Sequence, residues 1–99
     1  MSAEFRNVSG ERVGYITDND VRDTTGSRVG YINGSEIRDN CGNRIGYING
    51  SEIRDKSGTR VGYINSNEIR NKNGTRIGYP TGRASEMEMV AATLLLFKI

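Results

Sequence analysis

The amino-acid sequence predicts a small all-β repeat domain, in which five β-hairpins of sixteen residues close about a pseudo-fivefold axis and an α-helix follows at the C-terminal end. Three observations lead to this fold class. A unit such as residues 37–52 recurs five times with an unbroken sixteen-residue period. Each copy contains two short strand patterns separated by turn signals. An apolar segment of different character follows the last copy.

The repeat defines the organisation of the chain. Its copies together span residues 5–84 of a single domain, 1–99, and residues 85–99 form an apolar tail. A unit this short cannot bury its own apolar face, so the copies must pack on one another. The copies begin at Phe5, Val21, Ile37, Ile53 and Ile69.

Each copy has the pattern of a hairpin. In the third copy the strands are predicted at 36–39 and 44–48, joined by a turn at 39–42. Asp39 opens this turn and Gly42 stands fourth, an arrangement typical of a type I turn followed by a glycine bulge. The predicted pairing places Arg38 opposite Arg44 and Ile37 opposite Ile45. One face then carries Ile37, Ile45 and Tyr47, and the other Glu36, Arg38, Arg44, Gly46 and Ile48.

The connection between copies is Asn49-Gly50-Ser51 in the third repeat. A two-residue Asn-Gly turn would place Ile53 on the wrong face. A three-residue loop or a bulge instead pairs Tyr47 with Ile53, and this is the predicted connection. Ten short antiparallel strands result.

Closure of the hairpins is favoured over a linear arrangement. An open sheet of ten strands would expose two edges and one apolar face. A glycine precedes the tyrosine of every copy, and glycine within a strand indicates close approach of another group. A linear β-solenoid or flat meander is the alternative, and it would need a cap at each end. The glycines are Gly14, Gly30, Gly46, Gly62 and Gly78.

The tail begins with a helix signal. Ser85 and Glu88 form a capping box, and the segment after them is apolar nearly all round, as in a buried helix. The prediction is a helix that covers one mouth of the closed array. The last six residues form a strand in the alternative interpretation. The side chains expected to be buried are Met87, Val90, Leu94 and Phe97.

Composition argues against catalysis. The chain has no histidine, so the usual general base and zinc ligand is missing, and no metal, cofactor or catalytic residue is predicted. The single cysteine, Cys41, occupies a turn position filled elsewhere by Ser, Thr or Asn. No transmembrane segment or signal peptide is apparent, which favours a cytoplasmic protein.

The arginines and tyrosines are the candidate ligand-binding residues. Two arginine rows recur, and the predicted pairing places them opposite each other, which is destabilising unless something neutralises them. Either Glu36, Glu52 and Glu68 balance a solvated face, or the guanidinium groups bind an anion. The tyrosines are either stacking platforms or core residues with their hydroxyls at the rim. The candidates are Arg38, Arg44, Arg54, Arg60, Tyr31, Tyr47 and Tyr63.

Tandem copies of Ile-Arg-Asp-x-x-Gly-x-Arg-Ile/Val-Gly-Tyr-Ile-x-Gly, followed by an apolar segment, resemble the bacterial β-flower proteins, in which short hairpins form petals about a central axis. The resemblance covers residues 5–84 well and the tail loosely. It implies the fold and suggests binding of a ligand or lipid, and it implies no catalytic residue. The first and last copies depart from the motif, at Phe5 and Asn7 and at Asn71 and Pro80.

The functional prediction is a non-enzymatic binding module for a lipid or another amphiphilic or anionic ligand. The alternative is a structural module whose apolar C-terminal segment docks a protein partner or closes a homo-oligomer. Nucleic acid is an unlikely partner, because the net charge is only +2 and acidic residues interrupt every arginine row.

Overall fold

The computed structural model describes residues 2–98. Within this range ten antiparallel strands form one closed barrel, in which each strand pairs with its sequence neighbours and the first pairs with the last. This confirms the closed arrangement over the linear one. The strands are β1 (Ser2–Asn7), β2 (Arg12–Thr17), β3 (Asp20–Asp23), β4 (Arg28–Asn33), β5 (Glu36–Asp39), β6 (Arg44–Asn49), β7 (Glu52–Asp55), β8 (Arg60–Asn65), β9 (Glu68–Asn71) and β10 (Arg76–Thr81).

Each consecutive strand pair forms one petal, from petal one (β1 and β2) to petal five (β9 and β10). The turn at the petal tip has the predicted geometry. In petal three the Gly42 N–H donates to the Asp39 carbonyl at 3.0 Å, and Gly42 has a φ of +88°. The Asp39 N–H donates to the Asn43 carbonyl, also at 3.0 Å. A type I turn with a glycine bulge therefore closes the petal.

The register beyond this turn differs from the prediction. Arg38 pairs with Arg44 as expected, but Ile37 pairs with Gly46 and not with Ile45. Ile45 is an extra residue in a β-bulge, and such a residue reverses the alternation of the strand beyond it. Gly46 therefore faces the interior with Ile37, and Tyr47 faces outward. The predicted face shared by Ile37, Ile45 and Tyr47 is wrong for this reason.

The turn between petals also differs from the predicted three-residue loop. Asn49 pairs with Glu52 and Ile48 pairs with Ile53, which leaves a two-residue loop of Gly50 and Ser51. Gly50 takes the first loop position with a φ of +68°. The predicted pairing of Tyr47 with Ile53 is wrong because the loop begins at Gly50, one residue later than an Asn-Gly turn would.

The C-terminal segment forms helix α1 (Glu86–Ala91), which continues as a π-helix (Ala92–Phe97). The predicted capping box is present: the Glu88 N–H donates to Ser85 Oγ at 3.1 Å, and the Ser85 N–H donates to Glu88 Oε1 at 2.8 Å. The alternative of a C-terminal strand is wrong for residues 94–97, and Ile99 lies outside the described residues.

The helix passes through the barrel, whereas the prediction placed it over one mouth. Val90, Ala91, Ala92 and Thr93 have no solvent exposure. The fully buried petal side chains that surround the axis are Phe5, Ile16, Val21, Ile37, Ile53 and Ile69. Of the four tail residues expected in the core, Val90 is fully buried, and Met87, Leu94 and Phe97 are partly buried and packed against it.

Four consecutive helical side chains face four different petals. Leu94, Leu95 and Leu96 lie against Gly46, Gly30 and Gly14, and Phe97 lies against Gly78. An α-helix turns by ~100° per residue, which overshoots the ~72° between petals of a fivefold barrel. A π-helix turns less per residue and comes closer to this spacing. The switch from α-helix to π-helix at Ala92 therefore matches the helix to the barrel.

Candidate functional site

The outer surface of each petal carries two arginines that share one carboxylate. In petal three, Glu36 lies 2.6 Å from Arg38 Nη2 and 3.6 Å from Arg44 Nη1. We call this set a triad. The five triads are Arg6–Glu4–Arg12, Arg22–Asp20–Arg28, Arg38–Glu36–Arg44, Arg54–Glu52–Arg60 and Arg70–Glu68–Arg76. Each triad brings the two predicted arginine rows together and has one positive charge in excess.

The first arginine of each triad is held within its own petal. Arg38 Nη1 donates to the Gly42 carbonyl at 2.6 Å, in addition to the Glu36 contact. Arg54 and Arg70 make the same pair of contacts, to Gly58 with Glu52 and to Gly74 with Glu68. This arginine fixes the petal tip and is the less available of the two for a ligand.

In petals one to four, the second arginine of the triad reaches across to the neighbouring petal. Arg44 lies over the Tyr47 ring at 5.2 Å from the ring centroid, and its Nη2 donates to the Lys56 carbonyl at 3.4 Å. Arg60 lies over Tyr63 at 5.7 Å and donates to the Lys72 carbonyl at 3.2 Å. The second arginine also makes only a long contact with the shared carboxylate, at 3.4–3.7 Å across the five triads. These guanidinium groups therefore retain capacity for another acceptor.

The tyrosines lie on this outer surface. Tyr31, Tyr47 and Tyr63 are half-buried and pair across strands with Arg38, Arg54 and Arg70. Their assignment to the core is wrong because of the bulge described above. Each ring is also covered by a guanidinium group, and each hydroxyl lies beside the tip glycine of the next petal. The rings therefore do not form open stacking platforms.

The second arginines and the tyrosines lie together in the clefts between neighbouring petals. The cleft between petals four and five has a volume of about 330 Å³ and is lined by Ser51, Glu52, Arg60, Tyr63, Lys72, Asn73 and Gly74. It contains two of the predicted site residues, Arg60 and Tyr63. The role of the predicted residues in binding stays a prediction.

Sequence reasoning missed Lys72 and Asn73. The signal was present in the repeat, because the second position of the tip turn is lysine only in the last two copies.

In petal three, the hydrogen bonds of the tip turn also lower the pKa of the aspartate that opens it. The Asp39 carboxylate accepts the backbone N–H groups of Asn43 at 3.0 Å and Cys41 at 2.9 Å. These hydrogen bonds, the Asn43 contact first, hold the pKa of Asp39 below its ordinary value of 3.8. The turn is thus strengthened by a carboxylate that is ionised at neutral pH, and this contribution is lost as the pH falls through the lowered pKa.

Neither a metal site nor a membrane-spanning helix is found among the described residues. Across residues 2–98, no three or more Cys, Asp or Glu side chains are grouped closely enough to hold a metal ion. No helix within that same range is long and apolar enough to span a bilayer.

A closed ring of five hairpin petals around a central helix defines the class of this protein as a petal-repeat barrel. A family model described as a 5-fold beta-flower protein matches residues 1–98. The chain therefore belongs to the 5-fold beta-flower family, and membership supports a small non-catalytic module. No curated protein and no solved structure matches the chain.

Proposed function

We propose that this chain is a non-enzymatic binding module that takes an anionic ligand in the clefts between neighbouring petals. One observation carries the proposal: each of the five triads sets two guanidinium groups against one carboxylate. Within a triad, a phosphate, sulfate or carboxylate group would supply a second negative charge. Guanidinium groups suit this role because their planar forks match such oxygens in two-point contacts.

The second arginine of each triad is the expected ligand contact. Arg44 and Arg60 have side chains about two-fifths exposed, whereas Arg38 and Arg54 are exposed by 29% and 28%. Exposure lets an incoming anion reach the guanidinium group without unfolding the petal. The partial exposure also weakens the existing ion pairs, which favours exchange of one acceptor for another.

The structure leaves less support for the two other predicted modes. A lipid chain in the barrel axis would have to displace Val90–Thr93, which fill that space. Docking of a partner through the C-terminal segment would require the same residues to leave the barrel. An anionic lipid headgroup can still reach the outer clefts, where it has the same chemistry as a free phosphate.

Thermal shift at low ionic strength tests the proposal. We expect tripolyphosphate to raise the melting temperature, since a ligand at a hundredfold excess over Kd stabilises by about 2.7 kcal/mol. The shift should decrease with added salt, because the contacts are charge-assisted and partly exposed. Replacing Arg44 and Arg60 with Gln should reduce it. The control is Arg83→Gln, which removes an exposed arginine outside the triads.

Vesicles distinguish the two sources of the anion. Binding to vesicles that contain phosphatidylglycerol, together with no response to tripolyphosphate, would indicate a lipid headgroup. Binding to phosphatidylcholine vesicles alone would contradict a charge-based site. No response to any anion at low ionic strength would overturn the proposal and leave the triads as a solvated, internally balanced surface.

A further inference from the structure

The five petals share the triad but differ at their tips. The second position of the tip turn is Lys56 in petal four and Lys72 in petal five, and the other three petals have no charge there. The first position is aspartate in petals two to four, and Asn71 replaces it in petal five. The tip of petal five is therefore the most positive of the five.

The petals differ further in net charge when the triad and the tip turn are counted together. Petals one, two and three each contain two arginines and two acidic residues, so each is neutral. Petal four adds Lys56 and has a net charge of +1. Petal five has Arg70, Lys72 and Arg76 against Glu68 alone, a net charge of +2. The excess positive charge of the barrel is thus concentrated on two adjacent petals.

The cleft between these two petals brings the charges to one place. Arg60 Nη2 donates to the Lys72 backbone carbonyl at 3.2 Å, and Arg60 and Lys72 both line this cleft. Asn73 adds an amide to the same cleft. Glu52 is also present, but its close partner is Arg54 at 2.5 Å, and Arg60 is 3.6 Å away. An incoming anion would compete with Glu52 for Arg60 and gain Lys72.

We infer that the anion site lies between petals four and five, and that its ligand carries two or more linked phosphate-type groups. This inference rests on the proposed function. Arg60 and Lys72 provide two separate cations in one cleft, which one monovalent group would not neutralise. The neighbouring cleft has the equivalent pair, Arg44 and Lys56, two strands away or about 10 Å along the sheet. A longer chain of anionic groups would extend toward that pair.

Titration of the full chain with inorganic pyrophosphate at low ionic strength tests this site. Calorimetry gives the affinity, and backbone amide NMR gives the location. We expect Lys72→Asn to weaken binding about tenfold, because it removes one charge-assisted contact. Lys98→Asn makes the same change of net charge at the end of the helix and should weaken binding less than about twofold. Both variants should keep the wild-type melting temperature. Asparagine already occupies the tip position of petal three that is equivalent to Lys72, at Asn40.

A graft provides the complementary test. Asp23→Asn with Thr24→Lys reproduces the tip of petal five in petal two, where Arg12 already donates to the Thr24 carbonyl at 3.4 Å. We expect this double variant to acquire a second set of amide shifts around petals one and two. Equal losses for Lys72→Asn and Lys98→Asn, with wild-type binding intact, would overturn the location while the proposed function stands. Absence of wild-type binding to pyrophosphate would overturn the inference, and the tripolyphosphate and vesicle measurements would then decide the proposed function separately.

Discussion

At the scale of single residues, the turns between petals share a positive φ at their first loop residue. The first loop residue is left-handed in all four of these turns, with φ of +62° at Gly34, +68° at Gly50 and +57° at both Asp18 and Ser66. A side chain in this conformation brings its Cβ close to the following carbonyl, at a cost of roughly 1–2 kcal/mol. Ser66 therefore holds strain that Gly34 and Gly50 avoid, whereas aspartate, as at Asp18, tolerates this conformation better.

Ser66→Gly should stabilise the protein. We expect an increase of about 0.5–1 kcal/mol in the free energy of unfolding, because relief of the left-handed strain is offset partly by the greater freedom of glycine in the unfolded chain. Urea denaturation measures the change. Gly50→Ser is the matched reverse substitution and should lower the free energy of unfolding by a similar amount. A destabilised Ser66→Gly variant would contradict the strain at this position.

The same scale shows why some contacts were predictable and others were not. The Arg38–Arg44 pair follows from the tip turn alone, because Asp39 and Gly42 determine the turn type and the turn determines the nearest pair. The position of Tyr47 depends on the bulge at Ile45, and a β-branched residue in a strand pattern gives no sign of a bulge. Lys72 was visible in the sequence, but only the cleft geometry shows that it meets Arg60.

At the scale of elements, the contact between the π-helix and the glycine ring determines how the core is filled. A Cβ placed on Gly46 would lie 2.5 Å from the Arg54 carbonyl oxygen and 2.5 Å from a methyl group of Leu94. Gly30 and Gly14 have the same two neighbours, a cross-strand carbonyl and a leucine. The strands and the helix approach each other as closely as the glycines permit.

Gly46→Ala should therefore destabilise the protein strongly. Overpacking of a core costs typically ~1–3 kcal/mol, and we expect about 3 kcal/mol here because one neighbour is a backbone carbonyl that cannot move alone. Gly50→Ala is the control, since it adds the same methyl group in open space at a positive φ and should cost only about 1 kcal/mol. Equal losses of unfolding free energy in urea would contradict tight packing at Gly46.

The start of the C-terminal helix was predictable from the sequence, and its change to a π-helix was not. Ser85 and Glu88 define the start of the helix by local chemistry, and that start is correct. The change to a π-helix at Ala92 is not encoded locally, because residues 94–97 are all large and apolar and have no distinguishing period. The spacing of the petals around the helix decides it, and that spacing is a property of the closed barrel.

The whole molecule is a flattened disc of 31 × 29 × 19 Å. The twelve residues of Glu86–Phe97 span roughly 15–18 Å, which is nearly the thickness of the disc. Closure was predictable, since β1 and β10 would otherwise be exposed edges. The position of the helix in the axis was not, because the sequence does not give the width of the barrel.

Deletion of residues 86–99 should abolish cooperative folding, since it removes the centre of the core. Each fully buried apolar side chain contributes up to ~1.5–3 kcal/mol, and Met89, Val90 and Leu95 together approach the ~5–15 kcal/mol that stabilises a whole domain. Circular dichroism during heating measures the loss. Leu95→Ala in the full chain is a milder change that removes one buried side chain of the helix. It should lower the unfolding free energy by about 2–4 kcal/mol. If the shortened chain stays monomeric with an unchanged melting temperature, the barrel does not need its axial helix, and this segment becomes free to dock elsewhere.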